Sequence, residues 1–194
     1  MKKEIVLGFG ILLCVLCIVS LLVRGDALAG QAASGTVKDQ VARGAYLVNS
    51  GGCHDCHTPK LMTPKGPEPD MSRNMMGAAA DSKVPPIPPG LLSPTGWGAL
   101  TNNDMTIWAG PWGVSFAANI TPDKTTGLGS WTEAAFIKSM RTGKRKGVLR
   151  DILPPMPWQN MAKMTDEDLK AVFAYLLSLK PIQNKVPEPI PPKR

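Results

Sequence analysis

Hydrophobic and polar positions divide the chain into stretches of different rhythm. Behind Lys2 and Lys3, an uncharged run extends from Ile5 to Val23, followed by Arg24-Gly-Asp26 and the small-x-small tripeptide Ala27-Leu-Ala29. A basic start, an apolar centre and such a tripeptide describe an export signal. The run is also long enough, at about 1.5 Å per residue, nearly to cross a hydrocarbon core of about 30 Å. Residues 1–29 are therefore read as a signal sequence cleaved after Ala29 or as an N-terminal transmembrane helix kept as an anchor. Either way the remainder lies on the periplasmic side of a bacterial inner membrane, anchored or soluble, because Lys2 and Lys3 stay inside. Residues 30–37 form a small, polar linker.

Helical spacing begins near Val37, where Val41, Ala45 and Val48 share a face with Leu47 beside them. Gly44 interrupts this helix and predicts close packing against another one. Residues 59–99, rich in proline, keep neither period and are read as an extended surface insertion. Ser130-Trp-Thr-Glu133 has the form of a capping box opening a helix that Gly143 ends. Thr165-Asp-Glu-Asp168 opens the last helix, with acids at its positive end and Leu169, Val172, Phe173, Leu176 and Leu177 as its apolar face, and Pro181 stops it. Residues 182–194 are a proline-rich extended tail. No strand pattern persists, so residues 38–181 are expected to form an all-α domain with long loops.

Composition changes this picture only slightly. Glycine and proline number 19 each, which agrees with long loops, and a net charge of +7 suits an acidic partner or an anionic membrane without implying nucleic acid.

The cysteines change it more. Cys14 and Cys17 lie in the apolar run, where a thiol acts as a small hydrophobe, and Ile18 follows them. Cys53-His54-Asp55-Cys56-His57 is different: it has the Cys-x-x-Cys-His form of covalent c-type haem attachment. Two cysteines one helical turn apart reach the two vinyl groups on one porphyrin edge, and the following histidine becomes the proximal iron ligand. A zinc cage needs four ligands, and His54 and His57 are the sole histidines. A thioredoxin-like pair would want a βαβ setting. His54 is read as a spacer whose ring points to solvent or backbone.

With no third histidine, the distal iron ligand is sought among ten methionines. Met156, in Leu153-Pro-Pro-Met-Pro-Trp158, sits in a loop that prolines stiffen, between the last two helices. Met140 reads as helix core, Met161 and Met164 as loop packing, and Met62, Met71, Met75, Met76 and Met105 as parts of irregular regions. The expected cofactor is one haem c, held through Cys53 and Cys56, with His57 and Met156 as the metal ligands.

The chain resembles the class I cytochrome c family, and most of all the single-haem domains associated with membrane-bound alcohol and gluconate dehydrogenases. The resemblance covers about residues 38–181. It rests on Arg43-Gly-Ala-Tyr-Leu-Val, Cys53–His57, Gly110-Pro-Trp-Gly113, Ala118-Asn-Ile-Thr-Pro-Asp123, Gly129-Ser-Trp-Thr-Glu133, Arg141-Thr-Gly143 and Leu153–Trp158. It implies a cytochrome c-like fold around the haem, in which the first helix (Gly44, Tyr46) crosses the last (Phe173, Tyr175). The chain departs from the family in its proline-rich insertion and in carrying one haem motif where several relatives have two or three.

Trp112, Asn119, Thr121 and Arg141 are candidates for lining the haem edge and bonding its propionates, the alternative being ordinary core and turn use. The basic run Arg141, Lys144, Arg145, Lys146 and Arg150 is either a docking site for an acidic redox partner or a solvated loop. The expected function is electron transfer by a carrier that makes and breaks no substrate bonds. The alternatives are a relay subunit of a membrane-bound dehydrogenase or oxidase complex, and a haem sensor or enzyme with an open sixth position.

Overall fold

In the computed structural model, which describes residues 36–92 and 95–192, the chain builds five α-helices and five short strands. In order these are α1 (Val37–Ser50), α2 (Cys53–His57), β1 (Lys60–Thr63), β2 (Gly66–Pro69), β3 (Leu100–Thr101), β4 (Ile107–Gly110), β5 (Gly113–Phe116), α3 (Glu133–Thr142), α4 (Trp158–Met161) and α5 (Asp166–Ser178). The expected signal or anchor at 1–29 lies outside the described residues. Among the described residues no helix is long and apolar enough to cross a membrane.

The all-α expectation is overturned. β1 and β2 pair antiparallel with Thr63 opposite Gly66, and β3-β4-β5 form an antiparallel sheet in that order. The fold is therefore mixed, with helices and two small sheets. The physical reason the strands escape a periodicity reading is their length. Four residues or fewer give two repeats of a period-2 pattern at most. In β1 the burial does not alternate at all: Lys60 is buried, Leu61 and Met62 are exposed. The first hairpin falls within the 59–99 segment read as an extended surface insertion, and Met75 of that segment is fully buried.

The helical layer follows its pattern more closely. α1 packs along α5, and a Cβ on Gly44 would sit 1.9 Å from the Ala171 carbonyl oxygen and 2.7 Å from Tyr175 Cβ. Glycine is thus the contact point of the crossing. Tyr46, expected there too, is 62% exposed, with the Arg43 guanidinium carbon 5.6 Å from its ring centre. Arg43 Nε also donates to Asp168 Oδ1 at 2.9 Å, tying the two helices at their rim. Val48, Met75, Leu128, Phe136, Met140, Leu169, Val172, Phe173 and Leu176 form the core between α1, α3 and α5. In it the Phe136 and Phe173 rings stack with centroids 5.0 Å apart. Ile107, Ala109 and Val114 make a separate small core under the three-stranded sheet.

Helix ends show one correction. α3 begins at Glu133 with Thr132 as its cap, the hydroxyl accepting from Ala135 N at 3.1 Å, rather than with Ser130. Trp131 N is already used by Leu128 O, and Trp131 packs on the core, so the turn before the helix is spoken for. At the other end Gly143 adopts φ 66°, and at the start of α5 the Thr165 hydroxyl caps Asp168 N, both at the positions the sequence indicates.

The tail is extended but bound. Val114 and Ile190 exchange backbone hydrogen bonds of 2.8 and 2.9 Å. Asn184 is buried, with Nδ2 donating to Met76 O and Ala78 O, both at 2.8 Å, and Oδ1 accepting from Ala80 N at 2.9 Å. One asparagine side chain thus stands in for a strand partner.

Candidate haem-attachment site

Gly51 and Gly52 separate α1 from α2, with Gly52 at φ 66°. The left-handed turn ends one helix and starts the next within two residues, so Cys53 and Cys56 fall one turn apart on a short helix. Both thiols are free and half-buried. Burial pushes each thiol's pKa up, and the Asp55 carboxylate adds to the rise.

His57 ends the helix. Its Nδ1 lies 2.8 Å from the Ala118 carbonyl oxygen. A carbonyl only accepts, so Nδ1 carries the proton and Nε2 is left with a free lone pair. This is the arrangement that orients a metal-binding imidazole and raises its basicity. Burial holds His57 below the usual histidine pKa, the Ala118 bond opposing it, so the ring is neutral and competent to ligate near pH 7.

The loop 75–78 holds this contact in place. Gly77 N donates to His57 O at 2.9 Å, Ala78 N to Ala117 O at 2.9 Å, and Ile120 N to Met75 O at 3.0 Å. Gly77 has φ 75°, and a Cβ there would meet Ala117 O at 2.2 Å and Ala118 O at 2.6 Å. Only glycine lets the segment carrying the Ala118 carbonyl come this close to α2. These backbone partners escape sequence reading because an alanine carbonyl carries no residue signal.

His54 departs from the expectation that its ring meets solvent or backbone. Its ring nitrogens face the Thr58 hydroxyl at 3.2 Å and Asn49 Oδ1 at 3.1 Å, both side chains. Thr58, fully buried, also donates to Asn74 Oδ1 and accepts from Met75 N.

Met156 is half-buried and borders the same apolar core as Cys53, along with Leu47, Ile120 and Trp131. Its loop is tied at three points. Ser115 Oγ donates to Pro154 O at 2.6 Å, Trp158 N to Met156 O at 2.9 Å, and Ile152 N to Gly143 O at 2.7 Å. Met75 and Met140 are sealed in the core, while Met62 and Met71 are 66% and 60% exposed. A distal ligand must be neither, which among the described methionines leaves the half-buried Met105, Met156, Met161 and Met164, and of these the last three border the helical core.

The other four candidate residues are engaged elsewhere. Trp112 Nε1 donates to Ser115 Oγ at 3.2 Å, the hydroxyl that also donates to Pro154 O in the Met156 loop. Asn119 and Thr121 are buried. Asn119 Oδ1 accepts from Thr121 N and Oγ1 at 3.0 and 2.7 Å, and its Nδ2 donates to Ile182 O at 2.8 Å and Thr126 Oγ1 at 3.0 Å. Together they clamp the tail to the loop after Ala118. Arg141 spans from Ala162 O to the Asp166 carboxylate, locking the end of α3 to the start of α5. These side chains hold the walls on which the motif and Met156 are mounted.

Two thiols on one helical turn and a neutral imidazole with a fixed tautomer are the groups that covalent haem attachment uses, and a half-buried thioether borders the same core. The residues present fit that group. Among the described residues no three His, Cys, Asp or Glu side chains converge to hold a metal ion, so a tetrahedral zinc cage is not built there.

No family model matches the chain. It is 40% identical over 78 residues to a subunit of the nicotinate dehydrogenase of Pseudomonas putida, 40% of this chain and 6% of that protein. Over 81 residues it is 37% identical to the cytochrome c subunit of the quinone alcohol dehydrogenase of Gluconobacter oxydans, 40% of this chain and 17% of the relative. Over 69 residues it is 42% identical to the gluconate 2-dehydrogenase cytochrome c subunit of Pantoea cypripedii, 36% of this chain and 15% of the relative. The chain thus spans less than a fifth of the length of these relatives. The resemblance read from the motifs is borne out: over about two fifths of its length, this chain is similar to the cytochrome c subunits of dehydrogenases.

Proposed function

We propose that this chain is a periplasmic, single-haem electron carrier, with haem c bound through Cys53 and Cys56 and with His57 and Met156 as axial ligands. The observation that carries the reading is the 2.8 Å bond from His57 Nδ1–H to Ala118 O, on the residue that closes the Cys-x-x-Cys-His helix. Nothing in a disulfide or spacer role requires that histidine to be neutral with Nε2 free. When bound, the haem supplies an iron that takes up and gives back one electron. The protein's part is to hold both ligands through the change, so that little rearranges. The proline-stiffened loop around Met156 and the clamped His57 both serve that end. Met156 is a thioether, which favours the reduced state and a positive potential.

A fixed place as relay subunit beside a dehydrogenase is favoured by the similarity to such subunits. An acidic surface on that partner fits the 144–151 loop. There Val148 and Leu149 are 66% and 53% exposed at the tip, flanked by Arg145, Lys146 and Arg150. Lys144 is paired within the loop to Asp151 at 2.6 Å and is the least available for docking.

The test is intact mass and a pyridine haemochrome spectrum of the mature protein exported by a haem-attaching host. One covalent haem is expected, with the methionine–iron charge-transfer band lost in Met156→Ala. A colourless mature protein refutes the reading. An intact band in Met156→Ala moves the distal ligand to Met161, Met164 or Met105.

A further inference from the structure

Lys60 opens β1, three residues after His57, yet it is only 8% exposed. Its Nζ donates to three backbone carbonyls: Thr58 O at 2.6 Å, His54 O at 2.8 Å and Asp55 O at 3.0 Å. Three acceptors require three N–H groups, so the side chain is an ammonium, with its donors fully used. The Asp55 and Asp104 carboxylates act on it through space, but neither is within ion-pair distance. A buried cation held by carbonyls alone is an unusual choice for a structural role. Lysines are almost never fully buried unless paired, and a methionine or leucine would fill the same space without desolvating a charge.

The carbonyls it takes belong to the haem-motif helix and the residue just after it. α2 has five residues and exposes most of its carbonyls at its end, where no further turn follows to accept them. Thr58 N returns to His54 O at 3.2 Å and Gly77 N takes His57 O at 2.9 Å, while Lys60 shares His54 O and takes Asp55 O.

We propose that Lys60 is a positioning residue for the haem. Its ammonium caps the helix that carries Cys53, Cys56 and His57, and it places a fixed positive charge that raises the midpoint potential. This rests on the haem reading above. The sign follows from charge: the oxidised centre carries one more positive charge than the reduced one. A cation in a poorly solvated setting therefore disfavours oxidation. Asp55 and Asp104 reduce the effect without cancelling it, since both are more hydrated than Lys60: Asp55 is exposed and Asp104 half-exposed.

The experiment is spectroelectrochemical titration of the mature, haem-loaded full chain as wild type, Lys60→Met and Lys60→Arg. Lys60→Met keeps the methionine–iron band and lowers the midpoint. Poised at the wild-type midpoint, its ferrous-to-ferric ratio falls at least threefold, about 28 mV at 59 mV per decade for one electron. Lys60→Arg, which retains the charge, stays close to wild type. Should Lys60→Met fail to load haem while Lys60→Arg loads it, the charge is needed to form the helix end, and the inference stands. An unchanged midpoint in Lys60→Met overturns it, as does an equal fall in both variants or failure of both to load. Wild-type protein without covalent haem overturns the electron-carrier reading itself, and is seen before any variant is compared.

Discussion

Replacing Gly44 by alanine tests the packing on which the haem motif is mounted. The new Cβ would lie 1.9 Å from Ala171 O, 2.6 Å from Ala171 C and 2.7 Å from Tyr175 Cβ, all shorter than real Cβ contacts, which essentially never fall under 3.0 Å. Two of the three are backbone atoms inside α5, which no side-chain rotation can move aside. The helices must separate by more than 1 Å, loosening contacts around Val48, Leu169 and Val172, which are 1%, 0% and 3% exposed. Overpacking of a core costs about 1–3 kcal/mol, and rigid backbone puts this site at or above the top of that range. Alanine returns about 1 kcal/mol through helix propensity. The net loss is about 2 kcal/mol, which for a domain of this size lowers Tm by about 4–8 °C. Thermal unfolding of the haem-loaded protein, followed by far-UV circular dichroism, measures it. A Tm equal to or above wild type would refute the reasoning, because it would mean that propensity outweighs the crossing and that α1 and α5 are not in this contact. Since α1 runs into the motif through Gly51 and Gly52, the same variant should broaden the Soret band near its transition.

Other consequences follow from the same structure. Gly77→Ala collides with Ala117 O and Ala118 O and strains a φ of 75°, so it pushes the Ala118 carbonyl away from His57. Loss of such a partner is worth about 10- to 100-fold in metal affinity, and resonance Raman of the iron–histidine mode should shift while covalent haem remains. Asn184→Ala strands the buried Met76 O and Ala78 O and frees Ala80 N, at a cost of about 3 kcal/mol from the two unpaired buried carbonyls. Limited proteolysis should then cut residues 182–192 first, and uncut tail at a wild-type rate counts against it. Asp123 accepts from the Thr126 hydroxyl and amide and the Thr125 hydroxyl and amide, which together lower its pKa to about 2. Its folded pKa lies below the unfolded value near 3.8, so its stabilisation is full above about pH 4 and is lost as pH falls through about 2. Carbon-detected NMR titration should place its midpoint there, and Asp123→Asn should flatten the acid limb of the stability curve.

How much of this was legible beforehand depends on the range of each interaction. The helix caps at Thr165 and Gly143, the apolar face of α5 and the Cys-x-x-Cys-His motif are set by neighbours within about a turn, and local sequence carries them. Gly44 also announces itself, because a glycine inside a helical pattern has a cost that only close packing offsets. The strands do not. β1 buries its lysine and exposes its leucine and methionine, and β3 to β5 are too brief for alternation to separate from chance, so the chain reads as helical with loops.

By itself, then, the sequence carried the motif on which the proposed chemistry rests: two cysteines three apart, one histidine after them and a methionine among prolines. Tertiary structure alone decided the rest. It chose which carbonyl fixes the His57 tautomer, turned Lys60 inward over the end of the motif helix, and used Asn119, Thr121 and Asn184 as clamps for the tail. The physical reason is that these choices are made by backbone carbonyls, close by for Lys60 and far along the chain for His57, Asn119 and Asn184, and every residue presents the same carbonyl whatever its side chain.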